Sequence, residues 1–231
     1  MSATAAALAP SSEPSVASIE AHVGRAINDL LAWLPSPAEL SADERRGIIA
    51  RYTAVLEGNF IYWMTGALLS AGSDEARAKI IDNLREEVRD CHPGMLRRFA
   101  IAAKAVPTDA DAQAVYSNLM KVRSFIGRLE AVPITVTMAF FEGFICQFMP
   151  YLAELAERQG SNELEYTNVH GVCDITHTQE LYRALEAEMK LAPPQSESET
   201  FEGVELLRTL IENIVVNNVG SSGDADTRLV A

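Results

Sequence analysis

Residues 168–190, NVHGVCDITHTQELYRALEAEMK, decide the fold class expected of this chain. From Thr178 onward the segment contains no Gly or Pro and is rich in strong helix formers, which predicts an α-helix. A helix turns by about 100° per residue, so His170, Asp174 and His177 would fall within roughly 60° of one another. Two of the chain's 4 histidines would then bracket a carboxylate on one helical face. This pattern suits a metal ion, although a pair of surface histidines beside an acid is the simpler alternative.

A helical period continues through almost every other segment of the chain. Ser15 is a candidate N-cap, and Ser41 followed three residues later by Glu44 is a capping-box signature. The segment VPITVTM (132–138) has strand-like composition, but it runs directly into a helical pattern. The sequence therefore predicts an all-α protein, a single helical bundle of about seven helices.

The composition fits one domain with a sizeable core. A hydrophobic content of 48% over 231 residues predicts a single helical domain at residues 15–217. The Pro- and Ser-rich segment 1–14 is expected to be a disordered leader, and residues 218–231 a disordered tail. A net charge of −13 argues against nucleic-acid and anionic-membrane partners.

Cysteine usage and hydropathy indicate a cytoplasmic protein. The three cysteines form no CxxC pair, and we expect neither a signal peptide nor disulfides. The longest apolar run, AVPITVTMAFF (131–141), is expected to be too short for a membrane span. We therefore predict no membrane association.

The segment NLREEVRDCH (83–92) contains a second candidate set of ligands. Its apolar positions define a helical face centred on Leu84, which predicts that Glu87 points inward and Glu86 points into solvent. His92 follows a predicted helix break. Taken separately, Glu87 would be an ordinary boundary carboxylate and His92 an ordinary helix-end histidine.

Glu142 lies in strongly apolar surroundings. No Lys or Arg occurs between Arg128 and Arg158. Burying this carboxylate without a partner would cost several kcal/mol. A metal ion is the most economical partner, but an arginine from elsewhere in the fold or a raised pKa would also serve.

Taken together, these positions form a mixed nitrogen and oxygen ligand set on three separate segments. Such a set suits iron or manganese better than a structural zinc site, and six ligands are about right for two ions. The chain contains no Glu-x-x-His motif, which disfavours a ferritin-like fold. The candidate metal ligands are Glu87, His92, Glu142, His170, Asp174 and His177.

Three motifs follow one another along the chain: NLREE with His92, FFEGF with Glu142, and HGVCDITH. In these motifs and their order, the chain resembles the haem-oxygenase-like diiron oxidases and oxygenases. The resemblance covers roughly residues 50–190, with a spacer (VRDC) between the glutamates and His92 that is shorter than usual. It implies a seven-helix haem-oxygenase-like fold without haem, and two Fe ions that activate O₂. It also implies a homodimer and allows an external electron donor.

The resemblance implies a small-molecule substrate and several reactions. N-oxygenation of an amine or amino compound in natural-product biosynthesis is the first expectation. Oxidative C–C cleavage or desaturation of an amino acid or fatty acid is the second. Aromatic residues expected at the substrate pocket are Tyr62, Trp63 and Phe141, although such residues also fill ordinary cores.

Two other classes of protein remain open. A thiaminase-like enzyme would need no metal and would use Cys146 or Cys173 as its nucleophile. A non-catalytic helical scaffold would leave a buried Glu142 without a purpose.

Overall fold

The computed structural model describes residues 14–194 and 196–216. Within these ranges the chain is all-α and contains no strand, as predicted, but it forms eight helices instead of about seven. The predicted leader (1–14, apart from Pro14) and tail (218–231) lie outside the described residues. The helices are α1 (Val16–Trp33), α2 (Ala42–Ser70), α3 (Asp74–Arg89), α4 (His92–Ala102), α5 (Asp109–Ile126), α6 (Ala131–Arg158), α7 (Glu165–Leu191) and α8 (Glu197–Val215).

Side-chain caps fix the starts of several helices. Ser15 caps α1, and Ser41 and Glu44 form the predicted capping box at the start of α2. Thr108 and Asp111 form a further capping box on α5. Each cap satisfies backbone N–H groups that the first turn leaves free, which stabilises the helix by about 1 kcal/mol.

Helix α6 is the central element of the bundle. It packs along α7 and also contacts α1, α2 and α8. The segment 132–138 is part of α6, so its strand-like composition reflects burial in the core. The expectation that this apolar region is too short for a membrane span was wrong, because α6 has 28 residues and is apolar enough. However, 83% of its most apolar window is buried by the other helices, as in the core helix of a soluble protein.

A sharp break separates α3 from α4, as the sequence predicted. Cys91 adopts a left-handed backbone conformation with φ of 56°, and α4 begins at His92 with Pro93 in its first turn. The break changes the direction of the chain within two residues. As a result Glu87 and His92, five residues apart, can both point into the interior.

Gly203 of α8 lies in contact with α5 and α6, and we expect Gly203→Ala to destabilise the fold. An added Cβ atom would clash with Thr137 Oγ1 and would lie 2.5 Å from Phe125 Cε1. Overpacking of this kind costs about 1–3 kcal/mol in the free energy of unfolding, measurable by urea denaturation.

Gly24→Ala is the matched control, because a Cβ atom at Gly24 in α1 would meet nothing within 4 Å. This change should raise stability by up to about 1 kcal/mol through helix propensity. Equal effects at the two glycines would contradict the close approach of Gly203 to its neighbours.

Candidate metal centre

The structure brings all six predicted ligands together in the interior, where α3, α4, α6 and α7 meet. Each of these residues is no more than 5% exposed. Helix α7 is continuous through residues 170–177, so the helical spacing assumed for its three residues is correct. The six residues are Glu87 on α3, His92 on α4, Glu142 on α6, and His170, Asp174 and His177 on α7.

One group of ligands consists of Glu87, His92 and His170. His92 Nδ1 lies 2.7 Å from Glu87 Oε1, and His170 Nε2 lies 4.0 Å from the same oxygen. One potential ligand atom from each of the three residues lies within 4.8 Å of the others. This spacing could accommodate a metal ion.

The backbone determines which nitrogen of His170 faces this group. His170 Nδ1 lies 2.8 Å from the carbonyl oxygen of Tyr166, and a carbonyl can only accept a hydrogen bond, so Nδ1 carries the proton. Nε2 is then the unprotonated nitrogen that faces Glu87. Burial lowers the pKa of His170 to about 4, which keeps the ring neutral. A neutral imidazole with its other nitrogen hydrogen-bonded is the usual state of a metal-binding histidine.

The second group consists of Glu142, Asp174 and His177. His177 Nδ1 lies 3.6 Å from Asp174 Oδ1 and 3.7 Å from Glu142 Oε1, which is too far for a good hydrogen bond. Neither His177 Nδ1 nor Asp174 Oδ2 has a hydrogen-bond partner within residues 14–194 and 196–216, although both atoms are buried. Buried polar atoms almost always have partners, and a metal ion between these two residues would be a partner for both atoms.

The thiol of Cys173 belongs to the surroundings of this second group. Cys173 Sγ donates a hydrogen bond of 3.0 Å to Asp174 Oδ1. The sequence had indicated this cysteine only as a candidate nucleophile. Its sulfur lies close enough to Asp174 and His177 to be a further potential ligand.

The electrostatics of the centre favour a cation. Among the described residues, no Lys or Arg forms an ion pair with Glu87, Glu142 or Asp174. Burial and the charge of Glu142 raise the pKa of Asp174 to about 7, and burial raises the pKa of Glu87 despite its hydrogen bond with His92. The neighbouring carboxylates outweigh the effect of burial on His177 and raise its pKa to about 11. Without a metal, a proton on His177 therefore supplies part of the missing positive charge.

Asn83 is a functional candidate that the sequence analysis missed. Its Nδ2 atom donates a 2.7 Å hydrogen bond to Glu142 Oε1 and so orients that carboxylate. Asn83 precedes Glu87 by four residues and therefore shares its face of α3, which is the signal that could have identified it. Both residues are buried, with Asn83 5% exposed.

The prediction that Glu86 points into solvent needs correction. Its side chain is 44% exposed, but Oε2 lies 3.0 Å from His177 Nε2. Helix α3 packs directly against α7, so a side chain at the edge of the α3 interface reaches the neighbouring helix. Glu87 is buried, as the helical phase predicted.

Two cavities adjoin the centre. The inner one has a volume of about 20 Å³, roughly the space for one water molecule, and all six predicted ligands except His177 line it. Its apolar walls include Leu56, Phe60, Ile61, Leu96 and Ile145. The outer one is a cleft of about 350 Å³ between α3 and α7, which we call the α3–α7 cleft; it is lined by Lys79, Asp82, Asn83, Glu86, Cys173, Thr176, His177 and Glu180.

The three aromatic residues expected at a substrate pocket line neither cavity. Tyr62 is 42% exposed, and the guanidinium of Arg123 lies 4.9 Å from the centre of its ring. Trp63 and Phe141 are buried and pack edge to face, with ring centroids 5.3 Å apart. Tyr62 is therefore a surface residue, while Trp63 and Phe141 fill the core.

No protein-family model matches the chain, and no curated protein or solved structure is significantly similar to it. A function must therefore be inferred from the chemistry of the centre and the order of its motifs.

Proposed function

We propose that this protein is a non-haem diiron oxygenase with a haem-oxygenase-like fold, which uses O₂ to oxidise a small nitrogen-containing metabolite. N-oxygenation of an amine or amino compound in natural-product biosynthesis is the reaction we favour. The proposal includes a cytoplasmic location, an external electron donor and a homodimer. These finer points rest on the resemblance of the three motifs to diiron oxidases and oxygenases.

The observation that carries the proposal is the uncompensated polarity of the centre. Three carboxylates and three imidazoles meet in the interior, and no Lys or Arg of the described chain pairs with those carboxylates. Burying such charges without compensation costs several kcal/mol, and a bound cation would compensate them without the protons that the raised pKa values of Asp174, Glu87 and His177 otherwise require. The buried Asp174 Oδ2 and His177 Nδ1, which have no hydrogen-bond partner among the described residues, are the atoms to which the second ion would bind.

The donors fit two iron ions. Glu87, His92 and His170 would hold one, and Asp174 and His177 would hold the other. Glu142 would be available to both, because it lines the inner cavity with the first group and faces His177 of the second. When bound, iron supplies the redox chemistry and the activation of O₂.

The protein would contribute orientation and a dry site. Asn83 fixes the Glu142 carboxylate, and the Tyr166 carbonyl fixes the tautomer of His170. The walls of the inner cavity are largely apolar, and its volume admits only a molecule of about the size of water. An organic substrate needs more room, and the α3–α7 cleft, at about 350 Å³, lies within the usual range for small-molecule sites.

The alternatives differ in how well the centre accommodates them. C–C cleavage or desaturation would use the same ligands, and nothing in the donor set separates these reactions from N-oxygenation. A thiaminase-like mechanism needs a reactive thiolate, but burial and nearby carboxylates raise the pKa of both Cys146 and Cys173. A scaffold would have no use for so many buried ionisable groups.

We expect the metal-free protein to bind two Fe(II) ions per chain under anaerobic conditions. Bound metal should stabilise the fold, by about 2.7 kcal/mol when free metal is at 100 times Kd. Binding should also release protons, because metal and proton compete for His177 Nδ1. Metal analysis, thermal unfolding and proton release in weak buffer measure the three effects.

A chain that binds no iron and gains no stability would contradict the proposal. Once iron binding is established, O₂ consumption with a panel of amines, amino acids and fatty acids distinguishes the reactions. Consumption stimulated only by fatty acids would favour the second reaction class over N-oxygenation.

A further inference from the structure

We propose that Glu86 is a positioning residue for His177, which turns the Nδ1 atom of that ring towards the second metal ion. The inference rests on the proposed function, because it assigns a role to Glu86 only if His177 binds metal. The helical phase and the motif resemblance favoured Glu87 over Glu86 as the metal ligand, and neither assigned a positioning role to Glu86. Its contact with His177 depends on how α3 packs against α7.

The geometry fixes the tautomer of His177. Glu86 Oε2 lies 3.0 Å from His177 Nε2, and an ionised carboxylate can only accept a hydrogen bond, so Nε2 carries a proton. Metal binding requires one unprotonated ring nitrogen, which must then be Nδ1. That atom is the one that faces Glu142 and Asp174 without a hydrogen-bond partner in the described ranges.

Glu86 is unsuited to be a ligand of the same ion. The two nitrogens lie on opposite sides of the imidazole ring, and Glu86 contacts the nitrogen that points away from Asp174 and Glu142. Its side chain is 44% exposed and lines the α3–α7 cleft. Within the part of the chain that the structure describes, Glu86 pairs with no Lys or Arg, so its carboxylate is free to serve His177.

His170 provides an internal parallel. Its Nδ1 atom is bound by the Tyr166 carbonyl and its Nε2 atom faces the first ion site, whereas His177 uses the opposite assignment. Each ring thus has one nitrogen held by an oxygen acceptor and the other directed into the centre. Acceptors in this position fix the ring and raise its basicity, and their loss typically lowers metal affinity by about 10–100-fold.

The test is a Zn²⁺ titration of the metal-free full-length chain, with competition calorimetry to resolve the two sites. Glu86→Ala should weaken binding of one ion by about 10–100-fold and leave the other unchanged. Glu86→Gln should recover much of the loss, because its amide oxygen still accepts a hydrogen bond from Nε2. Asp82→Ala, which removes an exposed carboxylate from the same helix and cleft, should leave both affinities unchanged.

A spectroscopic measurement distinguishes an effect of Glu86 on the orientation of the His177 ring from an effect of its negative charge. In the Zn²⁺-loaded wild type, ¹⁵N NMR should show His177 protonated at Nε2 and metal-bound at Nδ1. In Glu86→Ala we expect this signal to broaden or to divide between tautomers, while the His170 signal stays unchanged. The Glu86→Gln spectrum should resemble the wild type.

Three results would overturn the inference while leaving the proposed metal centre in place. Equal losses in Glu86→Ala and Asp82→Ala would show a general effect of charge, and unchanged affinity in Glu86→Ala would show that Glu86 has no role. Complete loss of one ion without recovery in Glu86→Gln would make Glu86 a ligand. A wild-type chain that binds neither Zn²⁺ nor Fe(II) would instead refute the proposed metal centre, and this inference with it.

Discussion

Replacing His170 with alanine is expected to lower the affinity for the first iron ion by more than about 100-fold, beyond the range typical of residues that only orient a ligand. The unprotonated His170 Nε2 faces Glu87, and the Tyr166 carbonyl prevents the other nitrogen from taking its place. We expect oxidation of any substrate to be lost with the ion. The helical circular dichroism should stay nearly intact, since the change shortens one side chain of a 27-residue helix.

His22→Ala is the matched control for this variant. His22 is the only histidine outside the centre, and its ring stacks on Phe201 at 3.7 Å. The His22→Ala variant should bind both ions like the wild type. Normal iron binding by His170→Ala would contradict its role as a ligand, and unfolding of that variant would make the residue structural.

Replacing Asp174 with asparagine is expected to stabilise the metal-free protein at neutral pH while weakening binding of the second ion. Burial and the charge of Glu142 raise the pKa of Asp174 from 3.8 to about 7. Asparagine has nearly the same shape and can still accept the hydrogen bond from Cys173. It removes the cost of a buried negative charge but also removes a charged ligand.

The raised pKa determines how the effect depends on pH. Because the folded state holds the proton more tightly than the unfolded state, the wild type loses stability as pH rises from about 4 to about 7. At 1.36 kcal/mol per unit, this loss reaches at most about 4 kcal/mol. Asp174→Asn should lack that decline, so the two proteins should have similar stability near pH 4 and differ most at pH 7 and above.

Urea denaturation of the chelator-treated proteins across this pH range measures the difference. Asp82→Asn, at an exposed position of α3, should show no comparable change with pH. A metal-free Asp174→Asn protein that is less stable than wild type at pH 8 would contradict a net cost of this charge. Undiminished binding of the second ion would show that Asp174 is not a ligand.

The sequence by itself determined the features that depend on a helix and its own residues. The helical period identified the all-α class, and the caps at Ser15 and Ser41 marked where α1 and α2 begin. The spacing in residues 170–177 placed three donors on one face of α7, and the phase of α3 directed Glu87 inward. These inferences succeeded because the turn per residue fixes the direction of each side chain relative to its own helix axis.

The apolar pattern predicted the centre of the buried face of α3 incorrectly. Val88 is one of the apolar residues of the helical pattern centred on Leu84, yet it is 60% exposed while Glu87 is 3% exposed. The buried face of α3 instead contains Ala76, Ile80, Asn83 and Glu87. Because the structure buries a polar cluster here, an apolar pattern locates the centre of the buried face incorrectly.

Only the tertiary structure decided which helical faces meet. The contact of Asn83 with Glu142 joins residues 59 positions apart, and that of Glu86 with His177 joins residues 91 apart. The outward position of Tyr62 and the separation of the inner cavity from the α3–α7 cleft likewise depend on packing between helices. Periodicity states where a side chain points, but the neighbour that it meets depends on how the helices dock, and that is set by contacts distant in sequence.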